Sequence, residues 1–368
     1  TPKIHLALEG LVRAGLMAGF EAERLVLAYR FLRHLINGLR MLRGNAKDLF
    51  LPDLDSMEYM HLARRMGYKG EEDLNPAEQL HIEFETRTAA VRAFVEGQLG
   101  RDAIPGPVVG NAADLVLGSM ISEEVKEHVL GEIGFADSEK AFRNIRLIAG
   151  EGERRELFAR LAVLAWDLLK TNPDPDMALN NWERFVSKLS ESISHFNQLL
   201  HQPTRLQLLL DIFAASQFLA DTLILNPGFF LWVTSPKVVN SAKTRTDLEP
   251  ELSKISEASQ TREEWLSELG LFRKREILRI GTRDLCLGVH IATIVEELSD
   301  LASTITAGAL SYIWAELTGE DSPLSSSGFA VLAFGKLGGR ELNYSSDLDL
   351  LGVFDPETGR DEALYAKC

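Results

Sequence analysis

The sequence has little that would support an extracellular, membrane-spanning or metal-finger protein. Its 368 residues include only two cysteines, Cys286 and Cys368, too few for a disulfide framework and without metal-ligand spacing. The eight histidines show no such spacing either. The most apolar stretch, residues 206–225, is interrupted by Asp211 and Asp221, so no membrane span is predicted. A reducing, cytoplasmic location is expected.

Basic charge is also scarce. The formal net charge is −15 and the isoelectric point is about 5.1, so the surface would repel a nucleic-acid backbone, which requires clustered Lys and Arg. A protein or small-molecule partner is therefore expected. The hydrophobic share of 45% and charged share of 25% are typical of globular proteins. A chain of this length predicts two or three domains.

Helical periodicity covers most of the chain. Apolar residues recur at three- and four-residue steps from Leu25 to Leu42, from Leu206 to Leu223 and from Ile291 to Tyr312, which predicts packed amphipathic helices. Proline-containing turns at residues 104–107 and 172–176 predict breaks between helices. Residues 234–261, rich in Ser, Thr, Lys and Glu with two prolines, predict a loop with one short helix.

The pattern changes after Ser325. Residues 329–334 and 348–354 are short apolar runs typical of strands, and a glycine-rich segment separates them. We predict two neighbouring strands joined by a long loop. The predicted fold class is mainly α, in helical bundles, leading into the first strands of a truncated α/β domain.

The glycine-rich segment contains the residues with the clearest chemistry. If Asp347 and Asp349 lie on a strand, their side chains project to the same side, because alternate residues face alternate ways. Two like charges so close repel unless a cation lies between them, and oxygen ligands suit Mg²⁺, which also binds substrate phosphates. Asp347 and Asp349 are thus the predicted catalytic and metal-binding residues.

Neighbouring residues complete a predicted nucleotide site. Glycines bring backbone N–H groups close to phosphate, hydroxyls donate hydrogen bonds, and basic side chains neutralise charge. The predicted phosphate-binding set is Gly338, Gly339, Ser345, Ser346, Lys336 and Arg340. An Asp-x-Asp pair alone is usually a solvated turn and a glycine pair alone is usually a hairpin, but their ordered combination favours catalysis. The segment is neither a P-loop nor a dinucleotide fingerprint.

Residues 335–349 resemble the signature of the glutamine synthetase adenylyltransferases, also called adenylyl-removing enzymes, a family of polymerase-β-like nucleotidyltransferases. Residues 272–280, 283–285 and 297–302 resemble the helices that precede the catalytic domain in this family. Residues 28–33 and 62–68 are similar to the helical tail that closes a preceding module. Residues 36–40 depart from the usual acidic residue and Gln, which indicates a divergent branch.

The resemblance implies a fragment of a two-module enzyme. Residues 1–104 would be the helical tail of the first module, 105–320 the linker and helical region of the second, and 321–368 the start of its catalytic domain. The family transfers AMP from ATP to a tyrosine of glutamine synthetase, and the paired module removes it by phosphorolysis, which regulates nitrogen assimilation. A third carboxylate would lie beyond Cys368, so the fragment alone is expected to be inactive. Implied partners are glutamine synthetase and a PII-type signalling protein.

Two functional alternatives stay open at this point. The helices could form a non-catalytic scaffold that binds glutamine synthetase or a PII-type protein, or the transferase could act on another acceptor. Separately, Arg275, Arg279 and Arg283 recur every four residues on one helical face. A solvated, ion-paired face is the first interpretation, and contact with phosphate or an acidic partner is the second.

Overall fold

The computed structural model describes residues 3–44, 50–71, 73–99, 109–319, 327–358 and 362–366. These residues are mostly helical, with one small sheet, as the mainly-α prediction requires. The chain divides into two compact units, Thr1–Ala220 and Asp221–Cys368. The domain boundaries predicted at 104/105 and 320/321 lie outside the described residues and stay predictions, as does the turn at 104–107.

The first unit is built from eleven helices within its described residues, and a further helix, α12 (Gln217–Leu225), crosses into the second unit. Their bounds are α1 Ile4–Arg13, α2 Gly19–Arg43, α3 Met57–Arg65, α4 Pro76–Leu99, α5 Ala112–Leu117, α6 Glu123–Gly131, α7 Ser138–Ala149, α8 Gly152–Thr171, α9 Pro175–Val186, α10 Ser192–His201 and α11 Pro203–Ala215.

Local sequence signals explain where several of these helices begin. Asn111 accepts hydrogen bonds from the backbone N–H groups at the start of α5. Asp174 accepts from the Met177 N–H at 2.8 Å, and Pro175 occupies the first position of α9, where its missing N–H and fixed φ cost nothing. The break predicted at residues 172–176 is therefore confirmed.

The core of the first unit includes α5, whose six residues are all buried. The helix packs against α4 and α8. Around α2, α3 and α4, a second cluster contains Leu35, Leu62 and Leu80. The apolar stripe predicted for α2 is confirmed, but the stripe predicted from Leu206 onward belongs to two helices, because Ser216 has extended backbone angles.

The second unit combines a three-helix bundle with a two-stranded sheet. Its elements are α13 Phe229–Val233, α14 Pro236–Val239, α15 Arg245–Ala258, α16 Arg262–Leu285, α17 Ile291–Thr318, β1 Phe329–Phe334, α18 Gly335–Gly338, β2 Asp349–Phe354, a 3₁₀ turn Pro356–Thr358 and α19 Glu362–Tyr365. No helix among the described residues is long and apolar enough to cross a membrane.

The prediction of a loop over residues 234–261 was wrong, because α14 and the 14-residue α15 occupy most of it. Polar composition suggested a loop, but Leu248 and Leu252 are buried against α16 and α17, and tertiary packing of an apolar face outweighs weak propensity. The Asp247 carboxylate accepts a hydrogen bond from the Thr244 N–H at 2.8 Å and so caps α15. Pro250 lies inside this helix.

The sheet confirms the two predicted strands, which pair antiparallel. Phe329 lies opposite Phe354, and Phe334 lies opposite Asp349. The ring of Tyr365 stacks on the rings of Phe329 and Phe354, with centroid separations of 5.6 and 4.9 Å. Its hydroxyl donates to the Ser327 carbonyl at 2.8 Å, which holds α19 against one end of the sheet.

Candidate functional site

The predicted site lies on the connection between the two strands. β1 ends at Phe334, α18 follows at once, and residues 339–348 lead into β2, which begins at Asp349. Gly338 allows the connection to fold back tightly, since a Cβ there would lie 2.5 Å from the Ala333 carbonyl oxygen. The chain therefore returns beside its own strand only with glycine at this position.

Asp349 lies directly beside Gly335. A Cβ placed on Gly335 would be 2.5 Å from Asp349 Oδ2, and Gly335 has φ +58°, a conformation that glycine adopts without steric cost. The lack of space for a side chain and the positive φ therefore both favour glycine at this position, where β1 ends and α18 begins. The glycine thus makes room for the carboxylate.

Asp347 lies two residues before β2, in a segment without regular structure. The alternation of side chains along a strand therefore applies to Asp349 as the first strand residue, whereas the position of Asp347 depends on the preceding turn. Both carboxylates are exposed. Neither needs to be buried to approach a charged substrate.

The connection is fixed to the helical bundle by two buried leucines. Leu337 and Leu342 belong to the same core cluster as Phe272 of α16 and Leu298 of α17. In addition, the Leu342 N–H donates to the Ser299 hydroxyl of α17 at 3.2 Å. Apolar burial and this hydrogen bond hold both ends of the glycine-rich turn against the helices.

The predicted phosphate-binding side chains have different surroundings. Lys336 is exposed on α18. Arg340 forms an ion pair with Asp300 of α17, with Nη2 and Oδ1 separated by 2.9 Å. The Ser346 hydroxyl accepts from the Asn343 N–H at 3.1 Å and so closes a turn. Ser345 lies within that turn with φ +58°, and Gly339 ends α18.

Sequence reasoning missed the helix residues that hold this connection. Besides Ser299 and Asp300, they include Asp284 of α16, since partial burial of Tyr344 and this neighbouring carboxylate raise the pKa of the Tyr344 hydroxyl. In the sequence, these residues are distinguished only by lying in segments 283–285 and 297–302, which resemble helices of the family. That resemblance alone did not indicate which side chains face the loop.

The arginine face of α16 is ion-paired, but it is not solvated as first interpreted. Arg279 and Arg283 are buried, and both donate to the Glu297 carboxylate, at 2.5 and 3.0 Å. Arg279 also donates to Glu276 at 2.8 Å. Burial opposes ionisation of Glu276, yet the neighbouring Arg279 and Lys243 lower its pKa overall. These arginines connect α16 to Glu297 of α17.

A metal ion would find only a small protein ligand set here. Across the described ranges, no group of three or more His, Cys, Asp or Glu side chains is placed to hold a metal. Mg²⁺ commonly takes one or two protein carboxylates and completes its shell with water and substrate phosphate oxygens. The exposed carboxylates of Asp347 and Asp349 fit that donor chemistry.

Two protein-family models match parts of this chain. A family model described as glutamate-ammonia ligase adenylyltransferase matches residues 206–366, and one described as GlnD PII-uridylyltransferase matches residues 4–99. Both descriptions denote nucleotidyltransferases. The first match contains the whole connection from β1 to β2.

The relatives described next share one family name. Bifunctional glutamine synthetase adenylyltransferase/adenylyl-removing enzymes match nearly the whole chain, and the predicted resemblance to this family is confirmed. The protein from Thioalkalivibrio sulfidiphilus is 26% identical over 96% of this chain and 38% of its own length. The one from Brucella suis is 28% identical over 97% and 36%, and the one from Stenotrophomonas maltophilia is 27% identical over 98% and 38%. The chain thus spans little more than a third of these relatives.

Proposed function

We propose that this chain is part of a Mg²⁺-dependent nucleotidyltransferase that moves AMP from ATP to a tyrosine of glutamine synthetase. The observation that carries the proposal is the placement of Asp349 beside Gly335, next to a glycine turn and two residues after Asp347. The names of the relatives support the nucleotide and the acceptor. The two-stranded sheet would then be the first part of a polymerase-β-like catalytic domain.

Each residue of the connection has a proposed task. Asp347 and Asp349 would hold the divalent ion, which would supply positive charge to neutralise the phosphates. Lys336 and Arg340 donate to phosphate oxygens. The turn residues Gly338, Gly339, Ser345 and Ser346 bring backbone N–H and hydroxyl groups to the same edge.

The reaction requires in-line attack by the tyrosine oxygen on the α-phosphorus. The new oxygen–phosphorus bond forms, the bond to the β-phosphate breaks, and pyrophosphate leaves. The hydroxyl proton passes to solvent or a base. In the paired module, phosphate would attack the tyrosine-bound AMP and release ADP. We propose cytoplasmic regulation of nitrogen assimilation, with glutamine synthetase and a PII-type protein as partners.

The test is AMP transfer by the complete protein carrying single substitutions. Asp349→Asn and Asp347→Asn should each lower transfer to glutamine synthetase by on the order of 1,000-fold, because a lost metal ligand removes several kcal/mol of charge stabilisation. Asp355→Asn, just beyond β2, is the control and should keep transfer. Circular dichroism should show the same helical content for all variants. Near-normal transfer by Asp349→Asn would refute the proposal.

Two alternatives make different predictions. A non-catalytic scaffold that binds glutamine synthetase or a PII-type protein should show no Mg²⁺-dependent ATP binding in a calorimetric titration. A transferase with another acceptor should bind ATP and label a different protein when supplied with labelled ATP. The exposed acidic pair beside the glycine turn favours the enzyme over the scaffold.

A further inference from the structure

The connection from α18 to β2 is tied to the long helix α17 at two points. Asp300 of α17 pairs with Arg340 at 2.9 Å, and Ser299 accepts from the Leu342 N–H at 3.2 Å. The two ties lie at alternate residues of the loop, at positions 340 and 342.

The pairing of Asp300 with Arg340 is asymmetric. The Asp300 side chain is 10% exposed, whereas that of Arg340 is 56% exposed. A carboxylate removed from water needs a counterion, and Arg340 supplies one. A guanidinium has five N–H donors in a fixed fork, so donors other than the one bound to Asp300 can meet a phosphate.

The loop is held in a conformation that its residues do not favour. Arg340 and Ser345 both have φ +58°, which costs a non-glycine residue about 1–2 kcal/mol. Such conformations persist where surrounding contacts over-determine them. Both ties to α17 lie at or between these two positions, shortly before Asp347.

We propose that Asp300 is a positioning residue for nucleotide transfer. Its carboxylate, fixed on the 28-residue α17, orients the Arg340 guanidinium toward the nucleotide phosphates beside the proposed ion site of Asp347 and Asp349. Asp300 does not touch substrate and acts through Arg340. This inference rests on the proposed function and assigns a role to a residue outside the signature segment.

A double-mutant cycle in the complete protein tests the inference. Asp300→Asn, Arg340→Gln and the double variant are compared for the KM for Mg·ATP, kcat of AMP transfer and Tm. Each single change should raise KM about tenfold, a usual effect of removing an orienting partner. The double variant should be no worse than Arg340→Gln. Glu316→Gln, on α17 in an exposed pair with Arg262, is the control and should leave KM unchanged.

Additive losses would overturn the inference, because they would mean that Asp300 acts independently of Arg340. So would a lowered Tm with an unchanged KM, which would mark a purely structural ion pair. If Asp300→Asn does not fold, Arg340→Lys takes its place. It keeps the charge but loses the fork, and should still raise KM several-fold; an unchanged KM would equally overturn the inference.

The variant Asp349→Asn, measured alongside the cycle, distinguishes failure of the proposed function from failure of the proposed role of Asp300. If that variant transfers AMP normally, the proposed function fails, whatever the cycle gives. If Asp349→Asn abolishes transfer while the effects of Asp300→Asn and Arg340→Gln multiply, only the role of Asp300 fails.

Discussion

The carboxylate of Asp349 occupies the space that any side chain on Gly335 would require. The position for a Cβ at Gly335 is 2.5 Å from Asp349 Oδ2, within the sum of van der Waals radii. Gly335, which follows β1, and Asp349, which begins β2, are therefore in close contact at the carboxylate that is proposed to bind the metal. This contact makes Gly335 a test of the site that leaves both acidic residues in place.

Gly335→Ala should lower AMP transfer on the order of 100-fold, because displacement of a reacting-site group by about 1 Å can cost that much. The left-handed backbone adds about 1–2 kcal/mol of strain. Gly319→Ala is the matched control, since Gly319 has φ +64° and open space around a Cβ. It should lose similar stability and keep transfer. Equal transfer by both variants would show that the Asp349 position is unimportant.

Glu297→Gln should destabilise the second unit by about 3–5 kcal/mol, because it leaves Arg279 and Arg283 as buried charges with less compensation. Urea unfolding followed by circular dichroism measures the change. Glu249→Gln is the comparison, since Glu249 pairs with Arg245 on the exposed face of α15 and should change stability by less than about 0.5 kcal/mol. A similar small effect for Glu297→Gln would contradict a buried network.

Stability should fall as the solution is acidified through the range in which His195 titrates. Burial lowers the pKa of His195 from 6.5 to about 4, so between those pH values the unfolded chain binds a proton that the folded chain does not. The sign is therefore a loss of stability with falling pH, complete near pH 4. The full loss is up to about 3 kcal/mol.

His195→Leu removes this titration and should flatten the pH dependence of unfolding between pH 6.5 and 4 relative to the parent protein. The apolar replacement suits a site beside the rings of Phe185 and Phe196. Parallel pH profiles for parent and variant would show that folding does not shift the pKa of His195.

Arg146→Gln should destabilise the first unit by about 1–3 kcal/mol. The Arg146 guanidinium donates to the carbonyl oxygens of Val116 and Gly118, each at 2.9 Å, at the end of the buried helix α5. Arg143→Gln, at an exposed position of α7, the helix that carries Arg146, should be nearly neutral. Thermal unfolding of both variants gives the comparison, and equal Tm values would exclude a capping role for Arg146.

The strands and the acidic pair were predictable because they depend on local pattern. Short apolar runs on both sides of a glycine-rich segment gave β1 and β2 nearly to the residue, and the resemblance of residues 335–349 led to the proposed chemistry. The stretch 234–261 was not predictable in the same way. Its polar composition resembles a loop, and only burial of Leu248 and Leu252 against distant helices makes α15 stable.

By itself, the sequence determined the helical periodicity and the two strands. It also determined the spacing of Asp347 and Asp349 and the resemblance to the adenylyltransferases. Each of these features depends on residues that are close together in the sequence. The tertiary structure decided which groups support the site. Ser299 and Asp300 precede the loop by about forty residues, and no local pattern states that they meet it. Only the packing of α16, α17 and the buried leucines brings them within hydrogen-bonding distance, because such contacts depend on the folded path of the chain.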